Sequence, residues 1–212
     1  TVFNMLTNVY QPTRGTIMLD GYSTAGKTTA QVNRMGIART FQNIRLFSNM
    51  SVLDNVKVAM HLSVKENFFK SLTHGFGYGK AERAMELLKF FGMESMASAP
   101  AGSLPYGAQR RLEIARALAT NPGIILLDEP AAGMNPSETS ELMDNIRRIR
   151  DEFQIAVMLI EHDMNLVMGI CEGICVLNYG KIIAKGTPDE IKSNPTVIEA
   201  YLGKRGQTDA ES

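Results

Sequence analysis

Residues 123–130 read "GIILLDEP", and this stretch decides the fold. Ile124 to Leu127 form an unbroken apolar run, followed at once by Asp128, Glu129 and Pro130. A short run with no polar alternation reads as a strand buried on both faces, and the proline ends it. A second run of the same texture, "QIAVMLIEHD", spans residues 154–163 and ends in Glu161, His162 and Asp163. Between the two lies "PSETSELMDNIRRIRDEF", which has helical spacing. Strand, helix, strand is the signature of parallel pairing, with helices on both faces of the sheet. Ligands of such sheets gather at the carboxyl ends of the strands. Asp128, Glu129 and His162 are therefore expected at one rim.

Working outward, "GAQRRLEIARALATNP" is a helix whose start near Gly107 offers free N–H groups to an anion. Gly107 also lets another molecule approach the backbone. Arg110, Arg111 and Glu113 read as a charged helix face. From Met50 to about Gly102 the chain is helical, in "SVLDNVKVAMHL" and "KAERAMELLKFFGM". Between those helices "NFFKSLTHGFGYGK" is either an exposed contact loop or a loop whose rings pack on its neighbours. "GICVLNYGKIIAKGTP" reads as a pair of strands, and "TPDEIKSNPTVIEAYLG" as two short helices. The polar residues from Lys204 onward read as a frayed tail.

At the other end, "TVFNMLTNVYQP" has helical spacing, with Val2, Met5, Leu6 and Val9 on one stripe, flanked by Phe3 and Tyr10. No cap precedes it, so the expectation is a chain that begins inside a fold. "GTIMLDG" and "GIARTFQ" follow as short strands, the first half-buried because Ile17 and Leu19 alternate with Thr16, Met18 and Asp20.

The 212 residues suffice for one large domain, or for a domain with an inserted subdomain. Hydrophobic residues make up 44% and the net charge is zero, so a core is affordable and a basic nucleic-acid surface is not indicated. No apolar run approaches the length of a membrane span, and no secretory signal opens the chain. Cys171 and Cys175, four apart, read as reduced thiols of a cytosolic protein, with a helix-face metal pair as the alternative.

Gly21, Gly26, Lys27 and Thr28 match the phosphate-loop pattern G-x-x-x-x-G-K-[ST]. The context argues against it. "TIMLD" is a strand with one solvated face, and only about eight residues separate Thr28 from the next strand, where a crossover needs at least ~10–12. The match reads as a decoy. The rival reading, a small phosphotransferase using Gly21–Thr28, needs Lys27 near Asp128.

The acidic pair carries the chemistry. One carboxylate at a strand's carboxyl end holds a hydrated magnesium, and the other orients and deprotonates an attacking water. Successive strand residues point to opposite sides, so Asp128 and Glu129 need not repel. The plain alternative is a solvated strand end.

The order of these residues resembles the ATP-binding subunits of ABC transporters over nearly the whole chain. Gln42 in "RTFQ" is similar to the Q-loop, "LPYGAQ" (residues 104–109) to the signature LSGGQ, "IILLDEP" to Walker B, "AAGMNP" to the D-loop and "IEHDM" to the H-loop. The likeness is nearest the branched-chain amino-acid importer branch, through "RTFQNIRLF", "YGAQRRLEIARAL", "LDEPAAGMNP", "EHDMNLVMGIC" and "AYLG".

The resemblance implies an α/β fold: a P-loop NTPase-type parallel sheet with an inserted helical subdomain, lacking the N-terminal strands and the Walker A loop. The core would span residues 1–42 and 103–203 and the helical subdomain 43–102, its last helix able to run on to about residue 120. A flexible tail would cover 204–212. Glu129 would be the general base. Asp128 and Gln42 would serve magnesium, and His162 the terminal phosphate of ATP. Pro105, Tyr106, Gly107 and Ala108 would cap ATP held by an opposite subunit. Partners would be membrane permease subunits, an identical or paralogous ATPase subunit arranged head to tail and, indirectly, an external substrate-binding protein. The place of action would be the inner face of the cell membrane. The activity would be that of an ABC-type ATPase, but without Walker A the chain as given is expected to be inactive and to bind magnesium-ATP no tighter than about millimolar. The departures are Pro105 for the signature serine, Tyr106 for its first glycine, Ala108 for its glutamine, and Asn135 for the commoner D-loop aspartate. Rival readings are a lipopolysaccharide-export ATPase and a degenerate ATP sensor.

Overall fold

The computed structural model describes residues 1–61 and 78–202. Most of "NFFKSLTHGFGYGK" and the tail from 203 lie outside the described residues. The chain divides into two compact units, Thr1–Ile160 and Glu161–Ser212.

The first unit is organised by a parallel sheet of β3 (Ile37–Arg39), β4 (Ile124–Asp128) and β5 (Ala156–Ile160), in the order β3-β4-β5. β4 is central. Ile124 pairs with Ile37 on one side and with Ala156 on the other, and Asp128 pairs with Ile160. Both faces of β4 are covered, as its unbroken apolar run requires. Leu126 packs with Phe3, Val32 and Ile37. Ile125 and Leu127, which point to the other face, are equally buried. β5 departs from the expectation of a buried run. Among the described residues it pairs with β4 alone, and Ala156 and Met158 are exposed, Met158 by 40%, while Val157, Leu159 and Ile160 are half-buried. An edge strand keeps the side chains of one face only partly covered.

α1 (Val2–Leu6) is shorter than its spacing predicts. Asn8 adopts a left-handed φ of 55° and turns the chain out of the helix. The residue that enters the core is Phe3, 1% exposed, while Val9 and Tyr10 face solvent.

β1 (Met18–Leu19) and β2 (Tyr22–Ser23) form a hairpin. Its two corner residues, Asp20 and Gly21, have φ of 48° and 81°. Positive φ at both corners is what a type I′ turn demands, and Asp-Gly is a favoured pair for it. α2 (Thr29–Arg34) is held at its start by a capping box between Thr28 and Gln31.

The helical region contains α3 (Val52–Met60), α4 (Tyr78–Phe90), two 3-10 turns at Glu94–Met96 and Ala101–Ser103, and α5 (Tyr106–Leu118). α3 packs on both α4 and α5. Asn55, buried inside α3, exchanges hydrogen bonds of 3.0 Å with both backbone groups of Phe47, which fixes the chain before the helix. α6 (Pro136–Phe153) begins at a capping box of Asn135 with Glu138 and packs against β5.

The second unit holds α7 (Met164–Ile170), the antiparallel pair β6 (Ile174–Asn178) and β7 (Lys181–Gly186), α8 (Pro188–Lys192) and α9 (Pro195–Leu202). The strand pair and the two short helices match the sequence reading. Among the described residues no helix is long and apolar enough to cross a membrane.

Candidate functional site

The carboxyl end of β4 delivers the acidic pair, and each acid has its own partner. Asp128, the last strand residue, accepts from Arg39 Nη2 at 2.6 Å. Arg39 is itself fixed: its Nη1 donates to Asn4 Oδ1 at 2.6 Å, and its guanidinium lies 5.6 Å from the ring centre of Phe3 and 5.0 Å from that of Phe41. The side chains of Arg39 and Asp128 are only 10% and 19% exposed.

Glu129 is not a strand residue of opposite facing, as alternation predicts. It lies one step beyond β4 with φ of 44°, and its N–H donates to Ile160 O at 2.9 Å. That turn aims the carboxylate at Gln42, whose Nε2 donates to Glu129 Oε2 at 2.8 Å. The two residues are 87 apart in sequence.

Gln42 lies just past β3, where no ladder satisfies its backbone. α5 does so instead. Arg110 Nη1 donates to Phe41 O at 2.7 Å and Nη2 to Gln42 O at 3.0 Å. Glu113 Oε1 accepts from Phe41 N at 3.2 Å, and its Oε2 pairs with Arg110 at 2.8 Å. One turn further along α5, Arg116 Nη1 donates to Arg45 O. Arg110 is 0% and Glu113 5% exposed, which corrects the reading of a charged solvent face. Only Arg111 matches that reading in part; its guanidinium reaches Glu141 at 2.6 Å. Burial pushes the Glu113 carboxyl above its ordinary value, opposed by Arg110 and by backbone N–H groups of Phe41 and Arg45. Burial likewise lowers Arg116, with Glu113 opposing.

The signature stretch opens α5. Pro105 is the N-cap, without a side-chain cap bond, and Ala108 is buried in the first turn. Tyr106 Oη donates to Ala132 O at 3.0 Å, and its ring lies 3.7 Å from where a side chain on Gly133 would begin. At Gly107 the close neighbour within this chain is Glu138, whose Oε1 would lie 3.1 Å from an added Cβ. Asn135 caps α6, accepting from Glu138 N at 3.0 Å.

Gly21–Thr28 is committed to other work. Gly21 turns the β1–β2 hairpin and Thr28 Oγ1 caps α2. The carbonyls of Thr24 and Lys27 accept from Asn8 Nδ2. The cation paired with Asp128 is Arg39, whereas the phosphotransferase reading needs Lys27 near Asp128.

His162 belongs to the second unit. Its side chain is 78% exposed, with Nδ1 3.8 Å from Glu161 Oε2. Asp163 caps α7 through Asn165 N and Leu166 N. Cys171 and Cys175 are both free thiols, Cys171 following α7 and Cys175 within β6. Burial raises the Cys171 thiol above its ordinary value.

Among the described residues no group of three or more His, Cys, Asp or Glu is arranged to hold a metal unaided. A magnesium carried on phosphates needs only one or two protein oxygens. Asp128 and Gln42 supply oxygen donors of that kind, so the residues present fit such an ion, with Arg39 as the cation that now neutralises Asp128.

Sequence reading missed Arg39, Arg110 and Glu113. The signal for the last two was the helix itself. Small or apolar residues surround the charges on α5 (Gly107, Ala108, Leu112, Ile114, Ala115 and Ala117, all buried). Small and apolar residues on most sides of a helix mark most of its surface for burial, although Tyr106 stays exposed at the start of this one.

The comparisons with known proteins give the family. The ABC transporter family profile matches residues 1–132, and a branched-chain amino acid ATP-binding cassette transporter profile matches residues 181–206. The chain is 48% identical over 209 residues to BraF, the high-affinity branched-chain amino acid transport ATP-binding protein of Pseudomonas aeruginosa, covering 96% of this chain and 82% of that one. LivG of Escherichia coli, which bears the same description, gives the same figures. Among solved structures, the ADP conformation of MJ1267, an ATP-binding cassette of an ABC transporter, superposes with a TM-score of 0.81 at 26% identity, over 95% of this chain and 82% of that one. A dimeric post-hydrolysis state of the cassette MJ0796 bound to ADP and Pi gives 0.75 at 25% identity, over 88% of this chain and 79% of that one. An acid-ended central strand, a glutamine reaching its second acid, and relatives of this identity lead to one conclusion: this chain belongs to the ATP-binding subunits of ABC transporters.

Proposed function

We propose that this chain supplies the hydrolytic residues of an ATPase subunit that energises the import of branched-chain amino acids, acting from the cytoplasmic face of the membrane beside permease subunits. The observation that carries the hydrolytic reading is the 2.8 Å hydrogen bond between Gln42 Nε2 and Glu129 Oε2. The import reading rests on the 48% identity to BraF and LivG.

Glu129 is the general base. The Gln42 amide holds Oε2, which leaves Oε1 to accept a proton from the attacking water. Asp128 and Gln42 are the residues that would hold magnesium, and the ion, when bound, neutralises charge on the phosphate oxygens. His162, two residues past β5 in sequence, is assigned to the terminal phosphate. Tyr106, Gly107 and Ala108 at the start of α5 are assigned to ATP on a second ATPase subunit, and Pro105 there offers no hydroxyl. An external binding protein would select the cargo.

The test uses the assembled importer in vesicles. Glu129→Gln should lower ATP turnover by about 10²-fold or more, the scale of a lost general base, while ATP binding persists and leucine uptake stops. Turnover within about twofold of wild type would refute the assignment. Uptake of other solutes but not of leucine, isoleucine or valine would refute the cargo.

A further inference from the structure

We propose that Arg110 and Glu113 are positioning residues for hydrolysis, holding the Gln42 segment in place through a hydrogen-bonded ring that begins and ends at Glu129. This rests on the general-base role of Glu129 given above.

The ring can be followed atom by atom. Glu129 Oε2 accepts from Gln42 Nε2 at 2.8 Å. Gln42 O accepts from Arg110 Nη2 at 3.0 Å. The same Nη2 donates to Tyr106 Oη at 3.3 Å, and that hydroxyl donates onward to Ala132 O at 3.0 Å. Ala132 N donates to Glu129 O at 3.2 Å, which closes the circuit. Every donor and acceptor is used in its proper sense. Glu113 is the brace: it pairs with Arg110 at 2.8 Å and accepts from Phe41 N at 3.2 Å.

Two physical points favour positioning over simple stabilisation. A buried ion pair adds little to stability compared with apolar residues of similar volume, so the fold does not need this one for its core. A guanidinium, however, offers five donors in a rigid fork. Here the fork reaches two successive carbonyls, of Phe41 and Gln42, that follow the last residue of β3. Those bonds fix the origin of the Gln42 side chain, and with it the distance at which the amide meets Glu129. α5 also carries Tyr106–Ala108 at its first turn, so a shift of that turn moves the far side of the ring. The helix start and the base are thus linked through bonded groups.

The experiment uses the assembled importer and reads kcat and KM for ATP separately. Arg110→Met with Glu113→Leu removes both charges together, so neither is left as the unpaired half of this ion pair, and Arg116 keeps its bond to Arg45 O. The expected result is kcat lowered about 10- to 100-fold, as for a misplaced catalytic group, with KM within about twofold. Arg110→Lys, which keeps the charge but loses the fork, should recover part of the rate. In a Gln42→Ala background the double substitution should cost less than about twofold more, because both act through one path. Losses that multiply in that background, or kcat unchanged by the double substitution, would overturn the ring. If the double variant fails to assemble, Tyr106→Phe decides: its kcat deficit must vanish in the Gln42→Ala background, and a deficit that persists overturns the proposal. Glu129→Gln runs alongside. Normal turnover in that variant overturns the general-base reading itself, whereas lost turnover with multiplicative losses overturns only the ring.

Discussion

Replacing Arg39 with methionine isolates what holds the end of β4 together. Arg39 makes three contacts: the 2.6 Å ion pair with Asp128, the 2.6 Å bond to Asn4 Oδ1, and stacking over Phe3 and Phe41. Leaving a fully buried partner charged and alone costs about 3–5 kcal/mol. With Asp128 19% exposed, water relieves part of this, and the low end, about 3 kcal/mol, applies. The bond to Asn4 adds about 1 kcal/mol. The stacking is largely kept, because the methionine stem still packs on the rings. Arg39→Met should therefore cost about 4 kcal/mol. Asp128→Asn should cost only about 1–2, since the amide oxygen still accepts from the guanidinium. Removing both should cost about 2–3, well below the sum of about 5–6, for a coupling of about 3 kcal/mol. Urea unfolding followed by a fluorophore placed in the first unit measures all four corners of the cycle. A single-variant cost under about 1 kcal/mol, or a coupling indistinguishable from zero, would show that the pair is a surface contact of no consequence.

Two further predictions concern the decoy loop and the buried acid. Gly21→Ala should cost about 1 kcal/mol from its φ of 81° alone, since nothing lies within 4 Å of the added carbon. Lys27→Ala should change stability by under about 0.5 kcal/mol. Neither should alter ATP binding by the importer; loss of binding in Lys27→Ala would reinstate the loop. For Glu113 the folded carboxyl is raised by burial. Its contribution is then complete below the unfolded value of about 4.3 and is lost as pH rises through the raised folded value. Denaturant melts of wild type and Glu113→Gln should show wild type losing ground from about pH 4 upward. A wild type that gains ground over that interval contradicts the burial argument.

The parallel sheet was legible because its signal is local. Residues 124–127 carry no polar break, and in β4 both faces are in fact covered. The reading of Gly21–Thr28 as a decoy rests on chain length, since too few residues follow Thr28 for a crossover. The exposed face of β5 was not legible, because an apolar run reports what a strand could bury and not how many neighbours it has. The same limit hid Arg110 and Glu113. Charged residues are usually outside; the small and apolar residues around these two hinted at burial, but the groups that satisfy them there, the carbonyls of Phe41 and Gln42, lie some 70 residues away. The short first helix failed for a local cause: Asn8 tolerates a left-handed φ that most residues resist, and it stops a pattern that reads as continuing.

Glu129 holds its carboxylate on a backbone that glycine would adopt freely and that a glutamate adopts at a cost of about 1–2 kcal/mol. Selection for durability alone would put glycine or asparagine there. A screen of this chain for heat resistance, run without a transport assay, should therefore drift toward such replacements at position 129 and return sturdier proteins that no longer turn over ATP.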